Sequence, residues 1–185
     1  MKKYIIVAMT SIFACTQYAW ATCTSPHPNI QPSRPDNLYI DNHDGTVTDK
    51  STGLTWSKCS SGQTWIDNTP DDASDDTCSG TALTYNWKAA LDSARSASDS
   101  SYLGLQGWRL PNVKELGSLM ENDCSSPAIN QSIFPSTANA NYWSSSPYIP
   151  GSGLEAWHVG FQSAGEIFQD QKTSLFYIRL VRGGE

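Results

Sequence analysis

Cysteine usage constrains this chain more than any other feature of its sequence. Of five cysteines, four follow the first 21 residues: Cys23, Cys59, Cys78 and Cys124. An even number of cysteines in an exported chain predicts disulfides rather than free thiols. Four cysteines can form two disulfides in three ways, and the number of cysteines does not decide among them. We favour Cys59–Cys78, which closes a polar loop, and Cys23–Cys124, which ties an N-terminal arm to the body. The spacing matches no zinc motif, so we interpret these thiols as structural.

Residues 1–21 have the layout of a secretory signal peptide. Lys2 and Lys3 precede an apolar run over residues 4–14, and residues 19–21 (Ala-Trp-Ala) offer a cleavage site. The apolar run is too short to span a bilayer, and no later run is long enough. An alternative stays open, in which Cys15 is lipidated and anchors the protein. We therefore expect a secreted, periplasmic or cell-surface protein.

Chain length and net charge limit the number of domains and the kinds of partner that the protein can bind. Removing residues 1–21 from the 185 leaves 164, which suits one domain. That part has 10 basic and 18 acidic residues, a net charge of −8, which argues against binding nucleic acid or anionic membranes through bulk charge. Residues 22–37 are rich in Pro, Ser and Thr and predict an extended N-terminal arm, followed by one domain over residues 38–185.

The sequence of the first half of that domain predicts a β-hairpin followed by a polar loop. Residues 38–41 and 46–49 flank an Asp44-Gly45 turn, and residues 52–56 predict a third strand. The loop over residues 60–79 contains five aspartates between Asp67 and Asp76. Calcium binding there stays open, although the spacing does not match an EF-hand, and we favour a solvated loop.

Two helices and a C-terminal sheet complete an α+β pattern. The apolar stripe over residues 83–98 predicts a helix with Thr84 as its N-cap. Asn112 and Glu115 have capping-box spacing at the start of a second helix, which we expect to continue to Asn122. Strands are then predicted over residues 142–146, 156–161, 165–168 and 175–182. The pattern is that of an α+β fold with two helices and antiparallel sheets, cross-linked by disulfides.

An ordered series of short motifs runs through the domain. The series comprises Asp44-Gly45-Thr46-Val47-Thr48-Asp49, Thr52-Gly53-Leu54-Thr55-Trp56, Trp108-Arg109-Leu110-Pro111-Asn112, Pro127-Ala128-Ile129-Asn130, Tyr142-Trp143-Ser144-Ser145, Ala156-Trp157-His158-Val159 and Val181-Arg182-Gly183-Gly184. Together the motifs resemble the bacterial domain family named for the C-terminal domain of the Legionella collagen-like protein (Lcl), over nearly all of residues 38–184.

This resemblance implies a fold similar to C-type lectins and to the formylglycine-generating enzyme. It also implies a displayed ligand-binding or adhesion domain whose variable segment spans about residues 142–177. The calcium–sugar triplet of sugar-binding C-type lectins is missing, because Gln31-Pro32-Ser33 lacks the acidic member. The cysteines do not resemble the paired catalytic cysteines of the formylglycine-generating enzyme.

Candidate ligand residues come from the polar and aromatic positions of the variable segment, where hydrogen-bonding side chains and aromatics are typical of recognition surfaces. They are Tyr148, His158, Gln162, Glu166, Gln169, Gln171 and Lys172. We expect His158 to point outward, opposite Trp157 on its strand. We interpret Arg109, Arg179 and Arg182 as structural, paired with Glu115 or another carboxylate.

The sequence therefore favours an exported binding or adhesion domain that recognises a glycan or protein, with no cofactor, no metal and no catalytic residue. No nucleophile elbow, phosphate loop or HExxH motif is present. Two alternatives stay open: a structural or assembly subunit of a surface appendage, and an enzyme related to the formylglycine-generating group. The ligand and the oligomeric state, including a homo-oligomer, stay undetermined.

Overall fold

The computed structural model describes residues 23, 26–70, 72, 75–150, 152–162 and 165–183. The predicted signal peptide and Cys15 lie outside these residues. Within the described part, no helix has the length and apolar character needed to cross a membrane. The described chain is an α+β fold of short strands and two α-helices.

The strands form three antiparallel sheets. They are β1 (Tyr39–Asp41), β2 (Thr46–Asp49), β3 (Thr55–Ser57), β4 (Thr64–Ile66), β5 (Thr77–Ser79), β6 (Asn141–Pro147), β7 (Glu155–Gly160), β8 (Glu166–Gln171) and β9 (Val181–Arg182). The sheet orders are β1-β2-β3-β9, β4-β5 and β6-β7-β8.

The predicted β1–β2 hairpin is confirmed, and side chains fix its turn. Asp44 Oδ1 accepts a hydrogen bond from the backbone of Thr46 at 2.9 Å, as expected of a turn former. Gly45 has a φ of +82°, and a Cβ atom there would lie 3.2 Å from side-chain atoms of Trp65 and Leu103. The left-handed conformation therefore favours glycine at this position, and a larger residue would also require Trp65 and Leu103 to shift by a few tenths of an ångström.

Helix α1 (Trp87–Asp99) begins later than expected. Asn86, not Thr84, is the N-cap, and its side chain accepts from the backbone of Ala89 at 2.9 Å. The predicted cap was wrong because the backbone of Tyr85 forms a β-bridge with Phe176. A helix cannot include a residue whose N–H and C=O are both used in that bridge.

Helix α2 (Val113–Gly117) has the predicted capping box between Asn112 and Glu115. It ends five residues before the expected stop at Asn122. The backbone continues through turns in which Leu119 and Met120 bond to carbonyls three residues earlier. Leu116 and Leu119 are nevertheless both fully buried, so the apolar stripe was identified correctly although part of it is not helical.

The predicted final strand over residues 175–182 is mostly wrong. Only Val181–Arg182 forms a strand, which pairs with β3. Phe176 bridges to Tyr85, and Tyr177 bridges to Tyr142. This segment pairs with a different neighbour every few residues, so it connects separate elements instead of extending one sheet.

Both favoured disulfides are confirmed, Cys23–Cys124 and Cys59–Cys78. The second bond closes a segment that is more ordered than the predicted loop, because β4 and β5 pair within it and place Trp65 opposite Cys78. The N-terminal arm packs on the segment after α2. Ser33 and Arg34 donate backbone hydrogen bonds to the buried carboxylate of Glu121, each at 2.6 Å.

The β6-β7-β8 sheet lies between two hydrophobic cores. Directly paired residues of an antiparallel sheet share a face. Tyr142 and Val159 therefore share one face, where they join the core of Leu116. Trp143 and Ala156 instead belong to the core of α1, on the opposite side. Strands β6 and β7 are consequently covered on both faces.

Candidate functional site

The structure separates the seven predicted ligand residues into four places. Three of them, Tyr148, Gln169 and Gln171, lie around Trp157 on one face of the β7–β8 hairpin. Gln162 and Glu166 lie at the opposite end of that hairpin, and both are exposed. Lys172 packs on α1, and His158 is buried. One group of three therefore remains a candidate site.

Trp157 is the centre of this group. It pairs directly with Gln169, and Glu155 pairs with Gln171, so all four side chains share a face. The Tyr148 ring meets the Trp157 ring edge to face, with centroids 5.1 Å apart. We call these five residues the Trp157 surface. An outward His158 implies an inward Trp157 by alternation, but the side chain of Trp157 is only partly buried.

Local hydrogen bonds hold the Trp157 surface in place. The hydroxyl of Ser144 donates to the backbone oxygen of Trp157 at 2.7 Å, and the amide of Tyr148 donates to the backbone oxygen of Glu155 at 3.0 Å. The Gln171 side chain donates to Glu155 at 3.4 Å. The aromatic pair is thus fixed, while the glutamine amides keep donor and acceptor capacity for a ligand.

Strand β8 projects beyond both cores. Successive side chains of a strand point to opposite faces, yet the first four residues of β8 are all exposed. Among them, Ile167 is 40% and Phe168 51% exposed. The sheet order leaves β7 as the only strand that pairs with β8 in the described part of the chain. This edge therefore offers apolar side chains and backbone groups to a partner.

The expectation that His158 points outward was wrong. Its side chain does face away from Trp157, but the second core covers that face and leaves the residue 4% exposed. Its ring lies 4.8 Å from that of Phe176 and 6.0 Å from that of Trp143. Burial lowers the pKa of His158, and the carboxylate of Asp170 partly opposes this effect. A ligand on the outer surface cannot contact this ring directly.

The other predicted residues are engaged elsewhere. Lys172 lies 4.6 Å from the centroid of the Trp87 ring and donates to the backbone oxygen of Gly153 at 2.6 Å. The Gln162 side chain donates to Asn141 at 3.3 Å, near the β7–β8 turn. Trp157 and Gly160, the last residue of β7, are three positions apart, so this turn begins about 10 Å from the centre of the Trp157 surface. These residues do not form one site with Trp157.

The arginines have structural partners. Arg109 holds Glu115 through two hydrogen bonds of 2.8 Å, as expected. Burial tends to raise the pKa of Glu115, but the bonds from Arg109 and from the Asn112 backbone outweigh it and lower the pKa. Arg182 donates to a backbone oxygen at 3.0 Å rather than to a carboxylate.

Arg179 is fully buried and also differs from the expectation of a carboxylate partner. Its guanidinium donates to the backbone oxygens of Ser57 and Lys58 and to the hydroxyl of Thr137. It lies 4.8 Å from the centroid of the Phe134 ring. Burial lowers the pKa of Arg179 to about 10. The arginine thus cross-links core segments instead of facing a ligand.

An open groove of about 470 Å³ is a second place where a ligand could bind. It runs between α1 and residues 108–110 and has buried Trp108 and Leu110 in its lining, together with Arg95. For metals, no cluster of three or more His, Cys, Asp or Glu side chains is found among the described residues. In the acidic loop, Asp76 pairs with Lys58, while Asp71 lies outside the described residues.

Comparison with known proteins identifies the domain. The family described as "Lcl C-terminal domain" matches residues 45–182, most of the chain, which confirms the resemblance drawn from the ordered motifs. The match begins within the β1–β2 turn and ends at the last residue of β9, so it includes the whole Trp157 surface. No curated protein matches the chain.

Proposed function

The chain belongs to the Lcl C-terminal domain family, and we propose that it is an exported binding domain that recognises a glycan or protein through the Trp157 surface, without a metal ion. The observation that carries the proposal is the partly exposed Tyr148–Trp157 pair, bordered by two glutamine amides on an edge hairpin. Aromatic rings with adaptable hydrogen-bonding groups around them are typical of recognition surfaces.

The framework behind this surface favours binding with little rearrangement. Strand β7 carries Trp157 and places Val159 in one core and Ala156 in the other, while two disulfides tie the chain together. A rigid framework lowers the entropy that a protein loses when it binds. The ring of Trp157 would supply apolar contact, and Gln169 and Gln171 would orient the polar groups of the ligand.

The test is binding of the purified protein to a glycan array and to proteins of envelope fractions. Trp157→Ala should bind the ligand found there about 30-fold more weakly, which corresponds to about 2 kcal/mol for a central aromatic contact. Gln169→Ala combined with Gln171→Ala should cost about fivefold, since each amide contributes one modest hydrogen bond. Circular dichroism checks that each variant is folded.

A matched control is Gln106→Ala. Gln106 is exposed and lies outside the Trp157 surface, and its backbone oxygen accepts a hydrogen bond from Arg182, which the substitution keeps. Its replacement should leave binding unchanged. Folded Trp157→Ala with unaltered affinity would refute the assignment of the site. If Arg95→Ala weakened binding instead, the ligand would occupy the groove beside α1.

The edge strand supports a second candidate, an assembly subunit. Ile167 and Phe168 are exposed on a strand that has one neighbour in the described part of the chain. A protein partner that adds a strand to β8 would cover both side chains and pair the free backbone groups. Recovery of a defined assembly that depends on Phe168, together with no glycan binding, would favour this function.

A further inference from the structure

A buried lysine with two carboxylates stands out from the rest of the molecule. The side chain of Lys58 is 1% exposed, and its Nζ contacts Oδ2 of both Asp41 and Asp76. The carboxylates are themselves 14% and 3% exposed. An amine and a carboxyl group in contact, with a second carboxyl group beside them, are the reactants and the proton carrier needed to form an amide.

Covalent and hydrogen-bonded constraints hold the three groups together. Lys58 precedes Cys59 and Asp76 lies two residues before Cys78, so the Cys59–Cys78 disulfide fixes both backbones. The amide of Lys58 also donates to the backbone oxygen of Gly45 at 3.0 Å. Asp41 ends β1, in the same hairpin. Groups held in reactive contact behave as if present at effective concentrations of about 10⁵ M or more, which offsets the slow rate of the reaction in water.

Burial also favours a neutral product. Removing an ammonium and a carboxylate from water is unfavourable, and their mutual attraction offsets this penalty only in part. Amide formation removes one positive and one negative charge together. The charge that remains on Asp41 still accepts a hydrogen bond from the backbone amide of His43, at 2.7 Å.

We propose that Lys58 and Asp76 form an intramolecular isopeptide bond, with Asp41 as the proton carrier. The ammonium of Lys58 transfers one proton to Asp76, which becomes a neutral carboxylic acid. The free amine attacks Cγ of Asp76 and gives a tetrahedral intermediate, whose nitrogen then passes one proton to Asp41.

Asp41 then protonates the departing hydroxyl group. The Cγ–O bond breaks as water leaves, and a neutral Nζ–Cγ amide remains. The three side chains supply every atom and proton, so the reaction needs no external reagent.

Asp76 is the acceptor because it is the more deeply buried carboxylate and because the disulfide constrains it directly. The bond would close nearly the same loop as Cys59–Cys78, but a reducing agent would not cleave it. The hairpin of β4 and β5 would then stay attached to the first sheet under conditions that open the disulfide. This gives an exported domain a second and permanent link at the same place.

The experiment is mass spectrometry of the purified full-length chain after reduction and alkylation. The intact protein should be lighter by one water molecule than its composition requires. Trypsin cuts after lysine and arginine. Within residues 51–88 its only cleavage sites are Lys58 and Lys88, and the cut after Lys50 releases the segment. A lysine blocked by an amide resists trypsin, so the native chain should give one fragment, 51–88, that lacks one water. An unmodified chain gives two fragments, 51–58 and 59–88.

Lys58→Arg is the matched control, because it keeps the buried cation but should not form the amide. It should have full mass and give two fragments, as should Asp76→Ala. Asp41→Ala should contain a large unmodified fraction. Full mass and two fragments from the native chain would overturn the proposal. A cross-link that persists in Asp76→Ala would overturn the assignment of the acceptor, and complete reaction in Asp41→Ala would overturn the role of Asp41.

Discussion

Removal of the Cys59–Cys78 disulfide should destabilise the protein by an amount that depends on Lys58. The two cysteines are 19 residues apart. For a loop of that length, the chain-entropy relation gives a stabilisation of about 3.2 kcal/mol. If an isopeptide bond between Lys58 and Asp76 already closes the loop, opening the disulfide releases little extra entropy. Cys59→Ser with Cys78→Ser should then cost less than about 1 kcal/mol.

The same double substitution in a Lys58→Arg background should recover the full cost of about 3.2 kcal/mol, since nothing else closes the loop covalently. The Cys23–Cys124 bond provides an internal reference. Its cysteines are 101 residues apart, and replacing both with Ser should cost about 4.7 kcal/mol in either background.

Urea denaturation followed by tryptophan fluorescence measures these free energies, and the four Lys58 and Cys59–Cys78 combinations form a double-mutant cycle. The expected coupling is about 2 kcal/mol or more, the difference between the two disulfide costs. A loss of about 3 kcal/mol in both backgrounds would show that the disulfide is the only link. A cost for the Cys23–Cys124 bond below that of Cys59–Cys78 would refute the loop-length reasoning.

Three further predictions concern single polar side chains. The pKa of His158 in the folded protein lies below the ordinary value of about 6.5, so the neutral ring contributes its full stability above about pH 6.5 and loses it as the pH falls through the lowered pKa. His158→Phe should remove this pH dependence from unfolding curves recorded between about pH 7 and pH 4. Curves that keep the same pH dependence in the variant would contradict the prediction. Arg109→Lys should cost about 1 kcal/mol in thermal unfolding, because lysine cannot hold Glu115 with two parallel bonds; no loss would show that this partly exposed pair contributes nothing. Glu121→Ala should cost about 3 kcal/mol and speed amide hydrogen exchange at Ser33, because the buried carboxylate anchors the arm; unchanged exchange would mean that other contacts hold the arm.

Local rules explain the features that were predicted correctly. The capping box of Asn112 and Glu115 depends on residues three positions apart, and the β1–β2 turn depends on Asp44 and Gly45. Such signals lie within one turn of chain, so no distant contact is needed to read them. The family, too, was recognisable from motif order alone.

Tertiary contacts decided the features that were missed. The N-cap moved from Thr84 to Asn86 because Phe176, some 90 residues away in sequence, bonds to Tyr85. Alternation correctly placed Trp157 and His158 on opposite faces of β7, but alternation cannot say how many faces are covered. A second core on the α1 side buried His158, while Trp157 stayed partly exposed because the hairpin projects beyond the first core.

The cluster at Lys58 shows the same limit. In the sequence, Lys58 is separated from Asp41 by 17 positions and from Asp76 by 18, and nothing local links them. A hairpin and a disulfide bring all three side chains into contact inside the protein. Sequence patterns report the conformation of neighbouring residues, whereas burial and charge pairing depend on which distant segments pack together. The sequence therefore determined the α+β pattern and the family, and the packing of the elements decided which side chains can meet a ligand or one another.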